Sequence, residues 1–149
     1  MPRMMKKGKD SLLNYSNVFE DMNFNNVRIY SMKFVKEEFK LIFDIDYILE
    51  WYLNKETNYF DKFLVASANL IFSNYHNLRI GIGQMQTFDL IIDQIEKRNY
   101  KGNSRMKLDE YSIILNCGSI KLIASHIELK LRSKPKISPF QELGSLDRK

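Results

Sequence analysis

Residues 39–52 read FKLIFDIDYILEWY, and this stretch decides the fold class of the chain. Large apolar side chains occupy every second position from Phe39 to Trp51. Side chains at alternate positions share one face of a β-strand, whereas no helix places them on one side. The stretch therefore predicts one long strand with one face in a core. Because an extended segment of this length would span roughly 45 Å, we expect it to bend or to contain a bulge.

Shorter segments with strand character lie on both sides of this stretch. Alternating or fully apolar patterns, separated by polar turns, cover residues 27–32, 63–72, 78–82, 111–115 and 120–131. Residues 87–98 fit a strand or a helix capped by Thr87, and the neighbouring strands favour a strand. The chain is thus predicted to be mainly β, as an antiparallel sandwich or a bent, partly closed sheet, with room for one short helix near Ser11 or Thr87.

Length and composition predict a single domain. The chain has 149 residues, of which 44% are hydrophobic, and this is enough for one core. We expect a basic, disordered N-terminus over residues 1–10, a β-rich domain over 11–137 and a polar tail over 138–149. The sequence shows no secretory signal or membrane span, and Cys117 is its one cysteine, so a cytoplasmic location is expected.

Three carboxylates at alternating positions of the long strand form the first candidate binding site. Asp44, Asp46 and Glu50 are predicted to share the face opposite the core. Carboxylates so placed can bind a hard cation or take part in acid–base chemistry, although a solvated strand face is the commoner explanation. As a charged surface they would complement a basic protein partner.

A second hypothesis is a small hydrolase-like or metal-dependent enzyme. It would have to bring Asp44 and Asp46 together with His126 or Cys117. A zinc site needs three or four ligands, and His76 and His126 are the only histidines in the sequence. No phosphate-binding glycine pattern precedes a predicted helix. We therefore expect neither a metal nor a cofactor.

A third hypothesis is nucleic-acid binding, because basic residues concentrate in two clusters towards the C-terminus. They are Lys97, Arg98, Lys101, Arg105 and Lys107 in the first cluster, and Lys130, Arg132, Lys134 and Lys136 in the second. On a strand, the alternate spacing of the second cluster would place its side chains along one face. Tyr100 and Phe140 lie close enough in sequence to stack on bases. Basic surface stripes also serve solubility alone, so the pattern is not specific.

The order of three segments resembles an uncharacterised family of small bacterial proteins built around an (L/F)DIDYI..W strand. These segments are FDIDYILEW at residues 43–51, FLVASANLIF at 63–72, and LRSKP at 131–135 followed by Phe140 and Gln141. The resemblance covers about residues 26–143. It implies no activity and no site residues, because the family has none assigned. The chain also departs from the pattern, with Ser67 in place of a usual proline and Asn-Asn-Val at 25–27 in place of a polar, often His-Asp-containing start.

The leading hypothesis is a non-enzymatic module that binds a protein. Small standalone bacterial domains of this kind include immunity proteins for toxins, and this analogy favours an immunity-type role. The enzyme and nucleic-acid hypotheses remain open beside it, as does the oligomeric state. No association with a membrane is expected.

Overall fold

The computed structural model describes residues 17–83, 89–101, 105–141 and 143. Within them, short 3₁₀ turns occupy Phe19–Asp21 and Lys36–Glu38. The strands are β1 (Val27–Val35), β2 (Lys40–Asn54), β3 (Tyr59–Ser73), β4 (His76–Ile82), β5 (Leu90–Tyr100), β6 (Leu108–Leu115), β7 (Gly118–Ala124), β8 (His126–Leu131) and β9 (Lys136–Ser138). In this part of the chain, no helix has the length and apolar character needed to cross a bilayer.

All the described strands belong to one antiparallel sheet. Its order is β4-β7-β6-β5-β1-β2-β3-β8, and β9 pairs with β3 beside β8. The chain runs almost directly from β3 into β4 and from β7 into β8. The pairing of Ser73 with His126 therefore continues as the pairing of His76 with Ile123. The strand pairs at the two ends of the sheet, β4 with β7 and β3 with β8, are thus consecutive parts of the same two segments of chain. The sheet bends to bring these two ends together. This bent, partly closed sheet confirms the predicted mainly β, antiparallel fold class.

The main core lies inside the bend and explains the alternation in β2. Leu41, Phe43, Ile45 and Tyr47 are buried in it, as the sequence predicts. Aromatic rings then cross the interior. Phe43 meets Phe72 edge-on, with 5.7 Å between the ring centroids, and Phe72 in turn meets Tyr111 edge-on at 5.2 Å. Such edge-to-face pairs add to the stabilisation from burial alone.

The pairing of β2 with β3 contains two bulges: Leu49 is the extra residue on β2, as expected of so long a strand, and Asp61 is the extra residue on β3. The pairing with β3 shifts register between Ile48 and Glu50, and again between Tyr52 and Leu53. A bulge adds one residue to one strand and changes which face the following side chains occupy. Trp51 accordingly leaves the main core and packs on a second, smaller cluster.

The second cluster is built against the C-terminal segment, by which we mean residues 132–141 and 143. Ile48, Phe63 and Val65 pack there with Leu143, which is buried. Backbone pairing of β9 with residues 63–65 of β3 holds the segment in place. The predicted polar tail from residue 138 is therefore wrong at its start, because Ser138 lies in β9 and Leu143 is part of a core.

Two further segments differ from their sequence-based predictions. Residues 90–98 form a strand as predicted, but that strand continues to Tyr100 through residues expected to form a loop. β8 ends at Leu131, so Arg132 and Lys134 lie beyond it and the predicted basic face of a single strand is wrong. The helices considered near Ser11 and Thr87, and the N-terminus over 1–10, fall outside the described residues.

Candidate functional site

The predicted solvated carboxylate face is wrong for two of its three members. Asp46 is completely buried and Glu50 is 5% exposed, while Asp44 is partly exposed. Asp46 Oδ2 accepts a hydrogen bond from the Tyr30 hydroxyl at 2.6 Å and another from the Leu143 backbone N–H at 2.8 Å. A buried carboxylate needs such donors, because losing its water is otherwise costly. Asp46 therefore fastens the C-terminal segment to β2.

The other two carboxylates also have partners within the protein. Asp44 forms an ion pair with Arg132 of the C-terminal segment. Glu50 lies close to Tyr52, whose pKa is raised by burial and, to a smaller extent, by the negative charge of Glu50. These contacts make the three carboxylates parts of the folded scaffold, so they do not form one continuous acidic surface.

The residues of the enzyme hypothesis are not brought together. Asp44 and His126 are roughly 15 Å apart by strand spacing, because β3 lies between their strands and they differ in register. His126 is exposed, and Cys117 lies at the other end of β7. His76 is exposed and contacts Tyr100 edge-on. Within the described ranges, no three His, Cys, Asp or Glu side chains are placed to hold a metal ion.

Residues of both basic clusters proposed to bind nucleic acid are engaged by acids of the same chain. The Lys97 ammonium lies 3.8 Å from Glu20 and 4.0 Å from Asp109, and Arg98 contacts Glu110 at 2.5 Å. Arg132 pairs with Asp44, as described above. The other members of the two clusters are exposed: Lys101, Arg105, Lys107, Lys130, Lys134 and Lys136. Pairing of this kind lowers the positive potential that a phosphate backbone would meet.

An open groove of about 600 Å³ forms where the chain before β1 crosses the projecting ends of β2, β3 and β5. Its lining combines aromatic rings, side-chain amides and carboxylates. The described residues that line it are Phe19, Glu20, Met22, Asn23, Phe24, Asn25, Trp51, Phe60, Asp93, Gln94, Ile95 and Gln141.

Irregularities of the sheet set the shape of this groove. Asp93 is the extra residue of a bulge in β5, since Ile92 and Gln94 pair with successive residues of β6. The bulge at Leu49 on β2 lies close to Trp51, and the bulge at Asp61 on β3 lies beside Phe60. Bulges re-aim side chains and are frequent next to functional sites.

The segment before β1 forms one wall of the groove and is anchored from beneath. Phe24 is buried in the main core and meets Tyr47 edge-on at 5.8 Å. The Asn23 backbone N–H donates to the Tyr47 hydroxyl at 3.1 Å, and the Asn25 amide donates to the Asp93 backbone carbonyl at 3.5 Å. A wall held in this way can present its polar side chains in a fixed arrangement.

The two charged side chains of the described groove lining are both acidic. Glu20 and Asp93 are exposed, and the described lining contains no lysine, arginine or histidine. The Glu20 carboxylate lies 3.8 Å from the Lys97 ammonium, whereas Asp93 has no ion pair in the described part of the structure. Sequence reasoning missed this site because its residues come from distant segments. The local signal is Trp51, the only tryptophan, but the alternation of apolar residues along the long strand predicts a core position for it.

A buried polar cluster supports the wall from the neighbouring strands. Asp109 is 5% exposed, and one of its carboxylate oxygens has no hydrogen-bond partner among the described residues. Tyr111 is buried beside it, with its ring edge-on to Phe19. Burial raises the pKa of Tyr111 to about 12, with smaller contributions from Asp109 and Glu20.

The raised pKa of Tyr111 predicts a loss of stability at high pH. Between pH 10.0 and about 12, the unfolded chain loses the tyrosine proton while the folded protein keeps it, so unfolding is favoured as the pH rises. We expect the wild type to lose about 2 to 3 kcal/mol more than Tyr111→Phe across this range, measured by urea unfolding. An identical pH dependence of the two proteins would contradict the assignment.

No family model, curated protein or solved structure matches the chain. The resemblance to the family with the (L/F)DIDYI..W strand therefore stays a prediction, and the candidate site rests on its geometry.

Proposed function

We propose that this protein is a non-enzymatic module that binds a protein partner through the groove and the apolar surface around it. The observation that carries the proposal is the concentration of exposed apolar side chains at this end of the sheet. Tyr59 is 75% exposed, Phe140 is 68% exposed and Ile137 is 62% exposed. Contiguous exposed apolar surface with a polar rim is typical of interaction sites.

The groove and this surface are continuous. Trp51 and Phe60 line the groove, and Leu53, which pairs with Phe60, is 48% exposed beside them. Gln141 lines both the groove and a neighbouring cavity that also contains Phe140. Aromatic residues in a partly enclosed site dominate the energetics of many protein interfaces. Two of the three carboxylates first considered are buried, so the groove replaces them as the proposed contact surface.

In its narrower form, the proposal makes the protein an immunity-type module of a bacterial cell, with a toxin as its partner. The analogy with small standalone bacterial domains supports this role. A single cysteine supports a reducing compartment, and we propose the cytoplasm.

The test is quantitative capture with matched variants. Tagged wild type, Trp51→Ala with Phe60→Ala, and a control with Ile80→Ala and Ile82→Ala are incubated with native lysate treated with nuclease. The control removes exposed apolar side chains from β4, outside the groove. A stoichiometric protein should bind the wild type and the control equally, and its affinity for the groove variant should fall by about 100-fold.

Two outcomes would contradict the proposal. One is a partner that binds the folded groove variant as tightly as the wild type. The other is retention of nucleic acid instead of protein before nuclease treatment, with an affinity that falls steeply as salt is raised. Circular dichroism and thermal unfolding confirm that each variant is folded before binding is compared.

A further inference from the structure

We propose that the groove receives an arginine side chain of the partner, with the guanidinium held between the aromatic rings and the Asp93 carboxylate. This inference rests on the proposed function and specifies the partner's chemistry at the same site. Its first support is charge, because Glu20 and Asp93 are the charged residues of the described lining. A site with this potential attracts a cation and repels phosphate or carboxylate.

The second support is the combination of ring faces with hydrogen-bond acceptors. Trp51 is half-buried and Phe60 is 39% exposed, so both rings border the groove while remaining open to a ligand. A guanidinium is planar, stacks on aromatic faces and donates several hydrogen bonds in its own plane. The oxygens of Asp93 and of the Gln94 and Gln141 amides are acceptors in the same lining.

The third support is the position of Asp93. It is the extra residue of a bulge, and its backbone carbonyl, not its carboxylate, accepts the bond from Asn25. The carboxylate is therefore placed at the groove without an ion pair in the described residues. Charge-assisted hydrogen bonds from a guanidinium to a carboxylate are about twice as strong as neutral ones.

Within its described residues, the protein contains two cation–ring contacts of its own, one of them at a residue of the groove lining. Lys97 lies over the ring of Phe19, a lining residue, with its ammonium 5.6 Å from the ring centroid. On β1, the guanidinium carbon of Arg28 lies 5.0 Å from the centroid of the Tyr30 ring. We choose arginine over lysine because the amide and carboxylate acceptors suit a forked, planar donor better than a compact ammonium.

The test uses a pair of peptides that differ in charge alone. Acetyl-Gly-Arg-Gly amide and its citrulline counterpart have nearly the same shape, but only the first carries a guanidinium. Each is titrated into the full chain while the emission of Trp51, the only tryptophan, is recorded. We expect the arginine peptide to give a saturable change at millimolar concentration and the citrulline peptide to bind at least tenfold more weakly.

Matched variants assign that binding to the groove carboxylate. Asp93→Asn should lower the affinity for the arginine peptide by about tenfold. Asp61→Asn, at an exposed carboxylate outside the groove lining, should leave that affinity unchanged. Equal affinity for the two peptides, no saturable change with either, or an unaffected Asp93→Asn variant would overturn the inference.

The captured partner separates this inference from the proposed function. If the partner is lost on replacing Trp51 and Phe60 but binds Asp93→Asn and Glu20→Gln as tightly as the wild type, the arginine assignment is wrong and the binding module stands. If neither pair of substitutions changes its affinity, both proposals fail.

Discussion

Replacing Asp46 by alanine is expected to lower the free energy of unfolding by about 3 kcal/mol. The carboxylate is completely buried and accepts hydrogen bonds from the Tyr30 hydroxyl and the Leu143 N–H. Alanine leaves both donors without this acceptor, and the cost of an unsatisfied buried donor exceeds the net worth of an ordinary hydrogen bond. Urea unfolding measures the change.

The same substitution should loosen the C-terminal segment before the whole domain unfolds. Hydrogen exchange at the Leu143 amide is expected to accelerate, because that N–H loses its acceptor. Asp44→Asn is the matched control, since Asp44 is partly exposed and its ion pair with Arg132 is worth less than about 1 kcal/mol. Equal losses for the two substitutions would contradict the assignment of Asp46 as the buried anchor.

Replacing Gly118 by alanine is expected to cost about 4 kcal/mol. A Cβ atom at this position would lie 2.0 Å from the carbonyl oxygen of Gly81 and 3.0 Å from Cα of Ile82. The backbone φ of +156° is itself rarely adopted by residues with side chains. Because the obstructing atoms belong to the backbone of β4, that strand would have to move away from β7.

A glycine on β4, Gly81, provides the control for this prediction. Gly81 pairs with Ser119, and a Cβ added to it would meet no atom within 4 Å, so Gly81→Ala should change stability by less than about 1 kcal/mol. Thermal unfolding of both variants makes the comparison. A Gly118→Ala protein as stable as the wild type would show that β4 does not pair closely with β7.

Local patterns predicted the strands well where side chains alternate without interruption. Every second residue from Leu41 to Tyr47 faces the core as expected, and the polar turn expected over residues 116–119 is shorter, since Asn116 and Cys117 join β6 to a β7 that begins at Gly118. The same alternation failed at Trp51, because a bulge changes the face of every residue that follows it. Period alone does not show where an extra residue enters a strand.

The candidate site was beyond local patterns for a different reason. The sequence around Asp46 predicts a solvated side chain, yet it is buried and accepts a hydrogen bond from the backbone of Leu143, a residue 97 positions away. The groove likewise joins the segment before β1 to β2, β3, β5 and Gln141. Contacts of such separation follow from how the sheet closes, and a single sequence does not encode that closure in any nearby pattern.

Trp51 allows a direct test of the proposal that a protein partner binds in the groove. The captured partner is added to the full chain, and complex formation is followed by size-exclusion chromatography. The quenching of Trp51 fluorescence by acrylamide is then measured. If the partner has tryptophans of its own, they are first replaced. Trp51 is partly exposed in the free protein, so we predict that the complex shields it and quenching falls several-fold. A stable complex in which Trp51 is quenched as readily as before would place the interface elsewhere and contradict the proposal.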